Sequence, residues 1–348
     1  MKKDLFNSSN YDYEIAQELI AQEPLKERPS SRLLVLDRKQ QTFSETVFRD
    51  IVSLFKAGDV LVINNTKVIK ARLLARRESG GRLEVLLLRD RGQGLWEVLV
   101  KPGKKARLGN KLFFSEDKSF FATVKDRTEQ GGRILQFSHQ DLMPLLDRYG
   151  KVPTPPYIKK EVDDAAQYQT VYAEKEGSIA APTAGFHFTP ELLETLKAKK
   201  VQVVYVTLHC GLPTFRPIKT EDIRDHNMEE EVFALSQETA SVINKAKQEK
   251  RRVIAVGTTS IRTLESSARP RGDDFKVEPG LGETRLYIYP GYKFKIIDAV
   301  VTNFHTPLST NLVLISTFAG SELVHSAYQY ALKEKFRFFS FGDAMFII

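Results

Sequence analysis

The texture of this chain changes partway along, and that change limits what it can fold into. Between Arg72 and Pro153 the apolar residues come in short runs: Arg82–Leu88, Leu95–Val100, Lys111–Phe114, Phe120–Val124 and Arg133–Phe137. Turn signals part them, among them Gly80-Gly81, Pro102-Gly103, Gly109-Asn110 and Gly131-Gly132. Short strands at near-regular spacing predict a small β-barrel or sandwich. From about Gln167 onward, strands and helices alternate. Helices are expected over Pro190–Lys199, with Thr189 as N-cap, and over Ser236–Lys250, Thr259–Ala268 and Glu322–Lys335. Strands are expected over Val201–Leu208, Arg252–Val256 and Lys293–Thr302, with a further apolar element over Asn311–Ala319. That alternation predicts a layered α/β domain.

Upstream, a strand at Arg32–Asp37, a helix over Phe43–Lys56 with Phe48, Ile51, Val52 and Phe55 on one face, and a short buried strand at Val60–Ile63 are too few to build a core alone. They are expected to join the α/β domain. The expected fold class is therefore α/β, a layered main domain of residues 1–67 and 154–348 carrying an inserted small β-barrel-like domain, 68–153.

The length of 348 residues suits two domains. No apolar run approaches the ~20 residues needed to cross a bilayer, and the basic N-terminus has no apolar segment behind it, which argues against a secretory signal. Cys210 is the single cysteine, so neither an internal disulfide nor a cysteine metal cluster can form. A cytoplasmic protein is expected. The net charge of +8 favours polyanionic partners. In the barrel segment Lys101, Lys104, Lys105 and Arg107 surround a Pro-Gly turn and are candidates for phosphate contact, the alternative being a solvated basic face.

In open α/β sheets ligands bind beyond the carboxyl ends of the strands. The segments there are His209–Arg216, Gly257–Ser260 and Asn303–Pro307, with Ala180–Thr189 leading into the Pro190 helix. Three of the six histidines fall in them: His187, His209 and His305. Each can carry a proton near neutral pH or serve as a hydrogen-bonded structural group. Gly257-Thr258-Thr259-Ser260 opens a helix whose amides can hold a carboxylate or phosphate, or simply cap it. The histidines lack His-Glu-x-x-His spacing, and no metal is expected.

Taken together these loops resemble the S-adenosylmethionine:tRNA ribosyltransferase-isomerase family. The resemblance is carried by Gln22-Glu23-Pro24 with Ser31–Asp37, Gly58–Lys67, Pro155–Ile158, Tyr168–Ala173, Ala181–Thr189, Val256–Glu265, Ile288–Tyr292, Thr302–His305 and Phe336–Met345. It spans essentially the whole chain and is weakest in the β-rich segment. This chain departs from the usual family residues at Lys70, Phe186, Cys210, Pro213, Glu229 and Thr306.

The resemblance implies transfer and isomerisation of the ribosyl part of S-adenosylmethionine onto preQ1-containing tRNA. Adenine and methionine leave, and epoxyqueuosine-tRNA of the queuosine pathway remains. S-adenosylmethionine is then a consumed substrate, with no cofactor and no metal. That chemistry asks for a base at the ribose C5′, an acid near adenine and a cavity that excludes water. His209 or His187 is the expected base, with His305 as the other proton carrier or an orienting group. Phe188, Phe215, Phe304 and Tyr289 are candidates to stack on adenine or preQ1, and Thr258 and Thr259 to hold the methionine carboxylate. Asp343 is a candidate for the ribose hydroxyls or the ammonium, and Thr183, Gly185, Arg216, Gly257 and Asn303 complete the expected substrate loops. A monomer with no membrane association is expected. The alternative is a catalytically impaired relative that only binds tRNA, and the alternative class of a methyltransferase is disfavoured by the lack of an early strand followed by a G-x-G turn.

Overall fold

In the computed structural model, which describes residues 4–129, 131–160, 162, 164–211 and 217–348, the chain forms two compact units. One comprises Met1–Lys67, Pro156–Lys175 and Ala181–Ile348, the other Val68–Pro155 and Glu176–Ala180. The short 176–180 segment, which the sequence assigns to the main domain, thus belongs with the insertion. Among the described residues no helix is long and apolar enough to cross a membrane.

The larger unit is built on a nine-stranded sheet. Its order is Gly280–Thr284, Glu231–Leu235, Gln202–Leu208, Val60–Asn64, Val253–Val256, Ala299–Asn303, Ala344–Ile347, Arg32–Asp37, Thr42–Val47. The four strands from Gln202–Leu208 to Ala299–Asn303 run parallel, so their carboxyl ends share one edge. Val60–Asn64, Val253–Val256 and Ala299–Asn303 are buried at every position, as expected of strands covered on both faces. Alternate residues feed two cores. Val60 and Val62 pack with Ala240, Ile243, Ile261, Leu264 and Val313, while Leu61 and Ile63 pack with Phe48, Ile51, Phe188, Leu192 and Leu196. Helices Gln237–Gln248, Gly257–Ser267, Thr310–Ala319 and Ser321–Lys333 cover the first core, and Pro190–Ala198 covers the second. This is the expected layered α/β arrangement.

In the smaller unit Arg72–Arg77, Arg82–Asp90, Leu95–Lys101, Arg133–Phe137, Phe121–Arg127 and Lys111–Phe113 follow one another around a sheet. Pairing of Arg76 with Phe113 and Arg77 with Leu112 closes it into a six-stranded barrel. Leu73, Leu83, Val85, Leu87, Val98, Leu112, Val124 and Leu135 are buried, and the period-2 alternation seen in Arg82–Asp90 places every second residue inward. Closure removes exposed strand edges.

Two elements differ from the sequence expectation for identifiable reasons. The helix expected over Phe43–Lys56 begins as a strand, Thr42–Val47, paired antiparallel to Arg32–Asp37. A turn through Gln41 at φ 55° closes the hairpin, with Asp37 Oδ1 accepting from the amides of Lys39 and Gln40. Only the downstream part turns helical, as a 3-10 turn at Phe48–Asp50 and one α turn at Ile51–Leu54. The strand expected from Lys293 begins only at Ala299. Glu265, buried in the Gly257–Ser267 helix, accepts from the amides of Lys295 at 3.0 Å and Ile296 at 3.0 Å, and these donors are unavailable to a ladder. The strands Glu231–Leu235, Gly280–Thr284 and Ala344–Ile347 and the hairpin Ala268–Arg271 with Asp274–Val277 were not foreseen.

Candidate active site

Asn64, at the carboxyl end of the central strand, organises the edge. Its Nδ2 donates to Leu208 O at 3.0 Å and to Thr259 Oγ1 at 3.1 Å, and its Oδ1 accepts from the amides of Thr66 and Leu208, each at 3.1 Å. One buried amide thereby ties three strand-end loops together. Beyond them lies a cleft with about 620 Å³ of empty space, the open solvent at its mouth included. Thr183, Cys210, Gly257, Thr258, Thr259, Thr302, Asn303, Phe304 and His305 line it, with Tyr157, Thr306, Asn311, Phe339 and Ser340. Gly257 takes φ +78°, a left-handed conformation that starts the helix directly from the strand and that residues with a Cβ rarely adopt. The helix therefore opens at the cleft wall, where Gly257, Thr258 and Thr259 all lie.

The three histidines are in three different situations. His305 lines the cleft. Its Nε2 meets Thr302 Oγ1 at 2.8 Å. Its main-chain N–H donates to the Tyr328 hydroxyl at 2.8 Å, and its carbonyl accepts from the Tyr13 hydroxyl at 2.5 Å. Burial pushes its pKa down to about 3, so the ring is neutral at pH 7.

His187 is buried one residue behind the wall. Thr183 Oγ1 donates to Asn303 Oδ1 at 2.9 Å, Asn303 Nδ2 donates to His187 Nε2 at 3.1 Å, and His187 Nδ1 meets Ser31 Oγ at 2.8 Å. With Nε2 accepting, the proton sits on Nδ1 and goes to Ser31. The ring stacks on Phe48 at 4.8 Å. Burial first, then the Arg28 and Arg337 cations, hold its pKa at about 3. His187 thus aims Asn303 into the cleft. His209 does not line it. Its Nδ1 meets Thr66 Oγ1 at 2.8 Å, and burial lowers its pKa.

Several expected substrate residues lie elsewhere. Phe188 is a core side chain set edge-on to Phe48 at 5.1 Å. Tyr289 packs against Tyr287 at 5.2 Å, outside the cleft. Gly185 is spent on packing, since a Cβ there would fall 2.0 Å from the Tyr172 hydroxyl. Asp343 is a clasp: it accepts from the amides of Arg32 at 2.9 Å and Arg337 at 2.7 Å, its pKa is raised by burial, and it is absent from the cleft wall. Phe215, Arg216 and Pro213 lie outside the described residues.

The cleft residues missed at the sequence level are chiefly Tyr157 and Ser340. The Tyr157 hydroxyl meets Ser340 Oγ at 2.8 Å, burial pushes its pKa up to about 12, and its ring lies 4.8 Å from Phe339. Neither follows a strand. The available signal was a serine set inside the aromatic run Phe336–Phe341.

Since His187 is neutral when folded and ordinarily titrates near 6.5, the unfolded chain binds the proton first as pH falls. Its contribution is complete above that value and is lost below it. Lowering the pH from about 7.5 to about 5 should cost about 2 kcal/mol at this residue. Urea unfolding of the parent and of His187→Gln at both pH values checks this, and equal pH dependence in the two proteins would contradict it.

The family model for the queuosine biosynthesis protein matches residues 8–347. Relatives described as S-adenosylmethionine:tRNA ribosyltransferase-isomerase include one from Caldanaerobacter subterraneus, 51% identical over 98% of this chain and 99% of its own. Another from Halothermothrix orenii is 49% identical over 97% and 98%. A crystal structure of S-adenosylmethionine tRNA ribosyltransferase from Thermotoga maritima is 39% identical, covering 97% of this chain and 100% of that one, with a TM-score of 0.56. With the match running through both units and every cleft-lining loop, the chain belongs to the queuosine biosynthesis protein family.

Proposed function

We propose that this chain is an S-adenosylmethionine:tRNA ribosyltransferase-isomerase. It transfers and isomerises the ribosyl part of S-adenosylmethionine onto preQ1-containing tRNA and releases adenine and methionine. The observation that carries this reading beyond kinship is the joint presence, in one cleft, of a neutral histidine, a helix N-terminus and hydroxyl groups. The first-turn amides of Gly257–Ser267, with Thr258 and Thr259, suit the methionine carboxylate. With its Nε2–H donated to Thr302, the neutral His305 keeps an unprotonated Nδ1 to take the ribose C5′ proton, which the neighbouring sulfonium acidifies. The C5′–H bond breaks and its electron pair stays on carbon. Rearrangement opens the ribose, the bond to adenine breaks with its pair on the base, and a proton must meet it there. Tyr157 and Ser340 stand in the same cleft as hydroxyl donors. The preQ1 amine then bonds to C1′ and gives up a proton, the C5′ carbon closes the carbon ring, and the C5′–S bond breaks with its pair on sulfur as a ribose oxygen bonds there, so that methionine leaves and the epoxide remains. Asn303, aimed by His187, is suited to a ribose hydroxyl, while the Phe304 ring is buried in the core against Tyr328, Phe336 and Phe338 and does not serve as a stacking face.

In this reading S-adenosylmethionine is consumed as a substrate, no metal is involved, and the protein acts as a cytoplasmic monomer. Of the family departures, Cys210 and Thr306 line the cleft, and Lys70 Nζ donates to Asp147 O within the smaller unit. Full-length relatives at about half identity lend the non-catalytic alternative no support. Incubation with S-adenosylmethionine and preQ1-containing tRNA, followed by nucleoside mass spectrometry, is the test. Adenine, methionine and epoxyqueuosine are expected, and tRNA binding without adenine release would reject the proposal.

The exposed Lys101, Lys104, Lys105 and Arg107 are proposed tRNA contacts. Buried Arg133 braces their turn, donating to Ala106 O at 2.8 Å and Gly103 O at 2.6 Å. Neutralising all four should weaken tRNA binding and flatten its log–log salt dependence by about one unit per lost phosphate contact. Unchanged affinity and slope would leave them a solvated face.

A further inference from the structure

Beside the cleft is a second, smaller depression that opens to solvent, about 250 Å³ of empty space with the solvent at its mouth included, and its lining is unusual in charge. Arg28, Arg337, Ser31, Ser340 and His187 face it, with the ring of Phe186, and no aspartate or glutamate does. Both guanidiniums are held by the main chain and neither forms a direct ion pair among the described residues, although the Asp343 and Glu23 charges act on Arg337 from further off. Arg28 Nη1 donates to Gln169 O at 3.0 Å and Nη2 to Gln167 O at 3.0 Å, while its guanidinium carbon lies 5.0 Å from the Phe186 centroid. Arg337 Nη2 donates to Glu23 O at 2.5 Å, but its Nη1 is buried with no hydrogen-bond partner. The nearby Glu23 side chain is engaged by Lys160, and both oxygens of Asp343 are taken by backbone amides.

Burial lowers the pKa of both guanidiniums, and the buried Arg337 Nη1 without a partner costs free energy. An anion in the pocket answers both. The planar guanidinium fork suits a group presenting two or more oxygens, and the serine hydroxyls Ser31 and Ser340 add donors. The pocket is joined to the cleft: Ser340 lines both, and the Asn303–His187 hydrogen bond spans the wall between them.

We infer that the Arg28–Arg337 pocket seats a phosphodiester of the RNA strand beside the nucleotide that reacts in the cleft. This rests on the proposed tRNA-directed activity. A polynucleotide that delivers one base to a cleft necessarily brings its flanking phosphates within reach of the adjoining surface. The rival source of the same chemistry is the carboxylate of S-adenosylmethionine, which would have to reach past Asn303.

The test uses the full-length protein carrying Arg337→Gln, Arg28→Gln or both, with thermal melting as a fold control. Three quantities are measured: Kd for a tRNA transcript as a function of salt, KM for preQ1-containing tRNA, and KM for S-adenosylmethionine. Each single variant should raise the tRNA Kd about tenfold and make the log–log salt slope shallower by about one unit, with KM for S-adenosylmethionine and kcat held near parent values. Should Arg337→Gln melt early, Arg337→Lys replaces it. The retained charge should then keep the salt slope while the lost fork still weakens tRNA binding. Folded variants with parental tRNA affinity and slope overturn the inference. A rise in KM for S-adenosylmethionine alone also overturns it, in favour of the carboxylate. Failure of the parent to release adenine at all would instead count against the proposed activity.

Discussion

Replacing His305 with alanine is expected to cut adenine release by about 10²-fold or more, the usual contribution of a positioned general base. The loss of stability should be small. The His305 amide and carbonyl bond to Tyr328 and Tyr13 through the main chain, and alanine keeps both. What goes is one neutral side-chain hydrogen bond to Thr302, worth about 1 kcal/mol, and the packing of a partly buried ring on the cleft wall. His187→Ala should show the opposite balance. It removes a buried ring stacked on Phe48 and bonded at both nitrogens, so a clear drop in melting temperature should accompany any loss of turnover. Adenine release and thermal melting of the two variants, measured side by side, separate a proton carrier from a positioning group. Parental turnover in His305→Ala would remove it from the base role, leaving Tyr157 and Cys210 as titratable groups of the cleft to examine next.

The second large effect concerns Glu231 and Arg262. Both are buried, at 3% and 7% exposure, and they form an ion pair through Arg262 Nη1 and Glu231 Oε2. Glu231 Oε1 also accepts from the Gly211 amide at 3.0 Å, and Arg262 Nε donates to Leu286 O at 3.1 Å. The pair ties the loop that carries Cys210 into the cleft to the helix whose first turn lines the same cleft. Glu231→Gln leaves a buried guanidinium without its counter-charge and should cost about 3–5 kcal/mol. That is roughly a 10 °C fall in melting temperature for a unit of this size. Replacing both partners with methionine removes the orphaned charge and should recover much of the loss. Melting of the two singles and the double completes the cycle, and a Glu231→Gln protein melting within about 2 °C of the parent would show that the pair carries little of the fold.

Some of this molecule is written in short stretches of its sequence. The barrel strands announce themselves because inward and outward residues alternate with period two and glycines supply the turns, both local properties. The parallel strands are readable because burial on both faces demands continuous apolar runs such as Val60–Asn64 and Val253–Val256. Their carboxyl ends then indicate where a ligand binds, which is how Thr258, Thr259, Asn303 and His305 could be singled out from sequence. What sequence could not decide is what each polar group meets. His187 and His305 look alike in the chain, yet one is locked between Ser31 and Asn303 and the other lines the cleft. Asp343 looks like a ligand-binding carboxylate until Arg32, 311 residues away, takes one of its oxygens. The Thr42–Val47 segment carries enough helical spacing downstream to suggest a helix, but pairing with Arg32–Asp37 at the sheet edge wins. Backbone periodicity is set by neighbours in the chain. A side chain's role is set by partners that only folding brings within hydrogen-bonding distance, and those partners decide whether a charged or polar residue is a catalyst, a clasp or a cap.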